Sequence, residues 1–187
     1  MPPSAAAILD FWFPPGTTSK RREWFGKDPE FDRTIRERFG TSLAAGLAGA
    51  FGDWCVSARG SLARVILLDQ FTRNAFRGTP KAFAGDAAAL ATAEGALERG
   101  IDHELGACER WFMYLPFEHA ESLAAQDRSV ALFRALADEG GLAGPLEWAL
   151  RHRAIIQRFG RFPHRNAILV RESTADEIAF LREPNSS

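Results

Sequence analysis

Six apolar residues, Phe31, Ile35, Phe39, Leu43, Leu47 and Phe51, follow one another at every fourth position. Successive residues of an α-helix turn by about 100°, so this spacing lays all six along one slowly drifting stripe. The stripe describes one long amphipathic helix, or two nearly continuous ones broken at Gly40. Asp28-Pro29 reads as its start, an N-cap followed by proline at the first helical position, where the missing N–H costs nothing. Gly46, Gly49 and Gly52 in the same stretch read as sites of close helix packing rather than as a phosphate cradle.

Composition extends the helical reading to the whole chain. Thirty-one alanines and 18 leucines stand against four valines and one tyrosine, and the first two residue types lead the helix scale. No period-2 alternation is bounded by Asn-Gly or Asp-Gly turns. Residues 61–71 carry Leu62, Val65, Ile66, Leu67 and Leu68, dense enough for burial on most sides. Thr79-Pro80 and Asp86 read as further helix starts, the second running through Leu90 and Leu97 to a stop at Gly100. A helix is expected after Pro116, ending at Gly140-Gly141, with Ala120, Leu123, Val130 and Phe133 as its inner stripe. Another runs from Pro145 to a left-handed stop at Gly160. The last opens on the capping box Thr174-Ala175-Asp176-Glu177 and continues through Ile178 and Leu181. The expectation is an all-α protein, one domain over residues 1–187, with seven or eight helices in antiparallel pairs and only 184–187 frayed.

With 46% hydrophobic and 25% charged residues, the chain is neither disordered nor fibrous. Cys55 and Cys108 have no Cys or His neighbour at zinc-ligand spacing and read as buried, inert thiols. The longest stretch without charge, residues 39–52, has 14 residues and cannot span a bilayer. Residues 1–9 lack the basic flank of a signal peptide, so a cytoplasmic location without membrane partners is expected.

Three segments break the rule of apolar inside and charged outside, and such breaks are where function tends to sit. Asp69-Gln70-Phe71-Thr72-Arg73-Asn74 ends the most apolar helix, with Asp69 and Arg73 placed to pair on one face. Residues 111–122 form an aromatic run with Phe112 and Tyr114 that crosses Pro116 and delivers Glu118, His119 and Glu121. On the expected helix the two carboxylates fall in the first turn, where the dipole favours them, and Gln126 follows on the face of His119. The third segment, 158–166, lies within residues 151–171, which hold six arginines, two histidines and no acid. With a total charge of −1, the remainder must then sum to −7. Gly160 and Pro163 fix a turn there, Phe159 and Phe162 anchor it, and Arg161, His164, Arg165 and Asn166 are its polar heads. One outcome is a buried ion network with Glu118, Glu121 and Asp69; the other is an anion site built from guanidinium forks.

These segments, in this order, resemble the bacterial and plant family catalogued as domain of unknown function 924. The matching text is Leu67-Leu68-Asp69-Gln70-Phe71 with Arg73-Asn74, then Leu115-Pro116-Phe117 with His119 and Glu121, then the run from Arg158 through Phe162-Pro163-His164-Arg165-Asn166. The likeness extends from Phe11-Trp12-Phe13 to Glu177. Thr72 stands where the family usually has proline, Ala120 where serine is common, and Val170 where glycine is usual. The resemblance implies a fold similar to tetratricopeptide-like helical arrays and supplies no activity and no catalytic residues.

Two functional readings follow from the residues. In the first, a helical binding module clamps an anionic small molecule or peptide. Arg73, Arg161, His164 and Arg165 hold the charge, Asn74 and Asn166 orient it, Phe71, Phe112, Tyr114 and Phe162 wall the pocket, and Asp69, Gln70 and Glu118 complete its polar lining. In the second, a hydrolase- or lyase-type enzyme uses His119, Glu121 and His164 for acid–base chemistry, with Glu118 in place of Glu121 as one option. A divalent metal on Asp69, His119, Glu121 and His164 is a variant of that reading; otherwise no metal or cofactor is expected. A pI of 6.4 and three lysines against 20 arginines argue against a nucleic-acid partner. Familiar nucleophile, P-loop, zincin and dinucleotide motifs do not occur. The sequence leaves the oligomeric state open.

Overall fold

Short-range side-chain bonds open most of the helices, as the cap residues dictate. In the computed structural model, which describes residues 3–17, 19–140, 142 and 144–183, Ser4 accepts from the Ala7 N–H at the head of α1 (Ala5–Trp12). A single turn, α2 (Arg22–Phe25), precedes α3 (Pro29–Leu47), where Asp28 Oδ1 accepts from the N–H groups of Glu30 and Phe31 at 3.0 and 3.1 Å. α3 passes Gly40 unbroken and ends at Leu47. Gly49 (φ +93°) and Phe51 (φ +68°) are left-handed, so the helix stops before Phe51, which leaves the stripe. Of the three glycines, Gly46 is the packing site: a Cβ there would lie 3.0 Å from Leu67 Cδ2 and 3.3 Å from Leu68 Cδ2. A Cβ at Gly52 would meet nothing within 4 Å.

Ser57 caps α4 (Ala58–Val65), which passes directly into a π-helical turn, Ile66–Phe71, and then α5 (Thr72–Ala75). The hydroxyl of Thr72 donates to the Leu68 and Asp69 carbonyls at 2.7 and 3.1 Å, inside the widened turn. The expected start at Thr79-Pro80 yields only a 3₁₀ turn, Pro80–Phe83. α6 (Asp86–Glu98) begins where Gly85 meets the π-turn; a Cβ at Gly85 would sit 2.1 Å from the Leu68 carbonyl oxygen, so only glycine fits.

α7 (Ala107–His119) corrects the expectation at Pro116. The helix continues through the proline, and Glu118 and His119 occupy its last turn rather than the first turn of the next helix. A helix C-terminus is the end that suits cations and not carboxylates, so the placement of Glu118 is the reverse of the sequence expectation. The following helix, α8 (Leu123–Asp138), is capped by Ser122 and buries Gln126, Ser129, Val130 and Phe133, whereas Leu123 is exposed. α9 (Gly144–Phe159) ends at Gly160 (φ +71°), and α10 (Ala175–Phe180) opens on the capping box of Thr174 and Glu177. The expected stop at Gly140-Gly141 falls partly outside the described residues, because Gly141 is not described, and the expected fraying of 184–187 lies wholly outside them.

The protein is all-helical: eight helices of six residues or more and two single turns, with no strand among the described residues. None of the described helices is long and apolar enough to cross a membrane. Both cysteines are free thiols, Cys108 buried and Cys55 half-buried.

Contacts divide the chain into two compact units, one of Met1–Arg77 with Lys81–Pro116, the other of Gly78–Pro80 with Phe117–Ser187. The core of the first is aromatic. Trp12 packs edge-on to Phe112 at 5.5 Å and beside Phe71 at 5.6 Å, Phe71 lies 4.8 Å from Phe39, and Phe112 lies 4.7 Å from Trp24. The second unit is built on the α8–α9 hairpin. Asp127 near the start of α8 pairs with Arg153 near the end of α9 at 2.5 Å, which fixes the two helices as antiparallel. Ile155, Ile156 and Phe162 form its buried cluster, with Phe159 and Phe180 against it.

Candidate functional site

The candidate residues fall into two groups, each complete within one unit. In the first unit the wholly buried Asp69 sits in the π-turn, taking a bond from Gln70 Nε2 at 2.5 Å and an ion pair from Arg73 at 2.9 Å. Arg73 also grips Asp86 with two prongs at 2.8 and 3.0 Å. Burial alone would lower the Arg73 pKa, yet the charges of Asp69 and Asp86 outweigh it and raise it. Asn74 donates to Asp32 at 2.7 Å, and Arg77 adds a two-pronged pair to the same carboxylate. Burial opposes the charged form of Asp32, but bonds from Arg77 and Asn74 prevail and its pKa falls. Tyr114 donates its hydroxyl to Asp102 at 2.7 Å; burial and this carboxylate push its pKa far up. Phe71 and Phe112 are core rings.

The second unit gathers a different constellation. Glu118, at the end of α7, is 4% exposed, and its Oε1 lies 2.9 Å from Nδ1 of His152 on α9. The same Nδ1 lies 3.1 Å from the Trp148 carbonyl. Both neighbours are acceptors, so Nδ1 carries a proton, and in the neutral tautomer so assigned Nε2 is the lone-pair nitrogen. The Gln126 amide, wholly buried on α8, donates from Nε2 to the carbonyls of Glu118 at 2.7 Å and Ala120 at 2.9 Å. Those bonds close the open end of α7 and hold the backbone from which Glu118 extends.

Phe162 links the histidines: its ring meets His152 edge-on at 5.4 Å and lies 5.5 Å from His164. Burial lowers the His164 pKa to about 4, with Arg165, His152 and His119 adding to the shift against a smaller opposing effect of Glu121. His164 is therefore neutral at pH 7. Arg165 lies over the Phe162 ring at 4.5 Å. Glu121 has both oxygens engaged, by Arg171 at 2.6 and 2.9 Å and by the Phe162 N–H at 2.8 Å. Burial would raise its pKa, but the Arg171 and Phe162 bonds and the charges of Arg171 and Arg165 lower it. A carboxylate so held stays ionised and is a poor proton carrier.

Two other third-segment residues tie the chain terminus down. Arg161 makes a two-pronged pair with Glu177 at 2.7 and 2.8 Å, and Asn166 bonds Ser173, Glu177 and Arg171. Among the described residues no three His, Cys, Asp or Glu side chains are grouped to hold a metal ion.

With this geometry in hand, comparison with known proteins is informative about kinship. The family model described as bacterial protein of unknown function, DUF924, matches residues 8–185. The chain belongs to this family. A solved structure described as a protein of unknown function, ATU0120 from Agrobacterium tumefaciens, is similar over 96% of this chain and 97% of its own, with 43% identity and a TM-score of 0.87. No curated protein matches. DUF924 kinship thus accounts for the fold and carries no chemistry with it. Val170, where the sequence resemblance implies glycine, has φ +55° and is 90% exposed.

Sequence reasoning missed His152. Between Arg151 and Arg153 it looks like part of a solvated basic face. The signal was present, however: Pro145, Ala149, His152 and Ile156 are spaced by four, three and four, one helical stripe with a histidine in it. Ser129, Arg171 and Asp32 were likewise not singled out.

Proposed function

We propose that the unit containing α8 and α9 carries an acid–base centre, in which Glu118 orients His152 for proton transfer in a hydrolase- or lyase-type reaction on a small polar substrate. The observation that carries this reading is the 2.9 Å contact between Glu118 Oε1 and His152 Nδ1. A buried carboxylate that fixes the imidazole tautomer leaves the opposite nitrogen as base and stabilises the imidazolium once it forms. The His152 side chain is 17% exposed against 5% for Glu118, so solvent reaches the base and not its support. His164, kept neutral nearby, is a second imidazole able to donate or accept. The anion-clamp reading has less support, because Arg73 and Arg161, two of its four clamp residues, hold carboxylates of the protein itself and a free anion would have to displace them.

The test is a screen of ester, amide and phosphoester substrates, followed by Glu118→Gln and His152→Gln. Each substitution should lower kcat about 10²- to 10⁴-fold while leaving the melting temperature within a few degrees. Turnover that ignores both substitutions, or no turnover on any class, would sink the proposal.

A further inference from the structure

A cavity of about 430 Å³ opens in the first unit, lined by the loop after α1, by Arg59 of α4 and by the start of α7. Small-molecule pockets begin at about 300 Å³, so the space is large enough to hold one. It does not depend on the acid–base centre, whose residues Glu118, His152 and His164 belong to the other unit. Part of the lining is apolar and stiff. Pro14 and Pro15 have a fixed φ, and the Phe13 ring is held edge-on by Trp24 at 5.5 Å and by Phe112 at 5.4 Å. Ala107 adds a methyl group to the same lining.

The charged part is one ion pair. Arg59 Nη1 donates to Glu109 Oε1 at 2.7 Å, and the Gly106 N–H donates to Glu109 Oε2 at 3.0 Å. Both carboxylate oxygens are thus engaged, whereas Arg59 Nε and Nη2 bond no other described residue. Those two nitrogens are the side-on fork of a guanidinium, the edge that meets a carboxylate with two parallel N–H···O bonds. The Thr17 hydroxyl already donates to the Pro14 carbonyl at 2.7 Å. The ion pair therefore has donors to spare, and they lie beside apolar surface. Glu109 holds the guanidinium in place although the Arg59 side chain is 61% exposed. We infer that this cavity binds a small organic monocarboxylate, its carboxylate on the Nε–Nη2 edge of Arg59 and its apolar body against Phe13, Pro14 and Pro15. An inorganic anion would satisfy the guanidinium and leave the apolar lining in water. A neutral apolar molecule would leave the fork unused. The fixed proline and phenylalanine walls need little ordering on binding, which favours a compact ligand.

The probe is 4-fluorobenzoate, followed by ¹⁹F NMR with the full chain. Saturable line broadening is expected, with a Kd in the millimolar range for so small a molecule. The amide 4-fluorobenzamide keeps the ring and loses the charge, and should bind at least tenfold more weakly. Acetate has the charge without the ring and should not displace the probe at equal concentration. Arg59→Gln should weaken the probe at least tenfold while leaving the melting temperature unchanged, since the side chain is mostly in solvent. Ala107→Phe keeps both members of the ion pair and fills the cavity, so it should abolish binding by a separate route. Binding that either substitution leaves untouched overturns the inference. So does equal binding of the amide, displacement by equimolar acetate, or no saturation by tens of millimolar probe.

Discussion

Of the two non-glycine residues described at positive φ, Phe51 and Val170, only Val170 is β-branched. A β-branched side chain at φ +55° brings Cβ against its own carbonyl, and at 90% exposure no packing in the fold repays it. The turn it makes is nonetheless used: the Arg171 N–H donates to the Asn166 carbonyl at 2.8 Å, and the Arg171 side chain then reaches Glu121. Replacing Val170 by glycine relieves the strain at some cost in unfolded-chain entropy, and a net gain of about 1 kcal/mol is expected. Urea denaturation of Val170→Gly beside Val170→Ala checks this, since alanine keeps most of the strain and should gain much less. The sequence resemblance singled this position out, since it implies a glycine there. His152 had no such flag, since a histidine between two arginines declares nothing until the partner on another helix is known.

Elements whose ends are fixed by neighbours in sequence were legible, and those fixed from afar were not. Asp28 and Thr174 each cap within three residues, and such caps can be read directly from the order of side chains. Pro116 illustrates the opposite case. Proline removes one hydrogen bond and crowds the preceding turn, so a break is the local expectation. α7 continues because its far end is fastened by Gln126, several residues beyond and on another helix. Gln126→Leu leaves the Glu118 and Ala120 carbonyls buried without a donor, which should cost about 1–3 kcal/mol. Amide exchange around 119–122 should accelerate in that variant. The break of the four-residue stripe before Phe51 has a similar origin: the left-handed Gly49 ends the helix although the apolar spacing runs on.

For the molecule as a whole, acid sensitivity comes in two stages. His164 has a folded pKa of about 4 against 6.5 in the unfolded chain, so between those values the unfolded state binds a proton that the folded state refuses. Stability contributed by its neutrality is complete above pH 6.5 and is lost as the pH falls toward 4, by at most about 3 kcal/mol. Glu177, held by Arg161, the Thr174 N–H and Asn166 against the opposing effect of burial, has a folded pKa of about 2 against 4.5. Its contribution is intact above pH 4.5 and disappears as the pH falls toward 2. Asp32 and Glu121, also lowered, add to this second stage. Denaturant titrations from pH 7 to pH 3 should show both limbs, and His164→Gln should flatten the upper one while sparing the lower.

Arginine's hold on the ion pairs has a practical corollary for chemistry done to the protein. From residue 117 onward the chain contains no lysine, and all three lysines, Lys20, Lys27 and Lys81, precede it. Acylation, ubiquitin conjugation to an ε-amine or coupling to an activated-ester sensor surface therefore modifies no side-chain amine within residues 117–187, the stretch that carries Glu118 and His152.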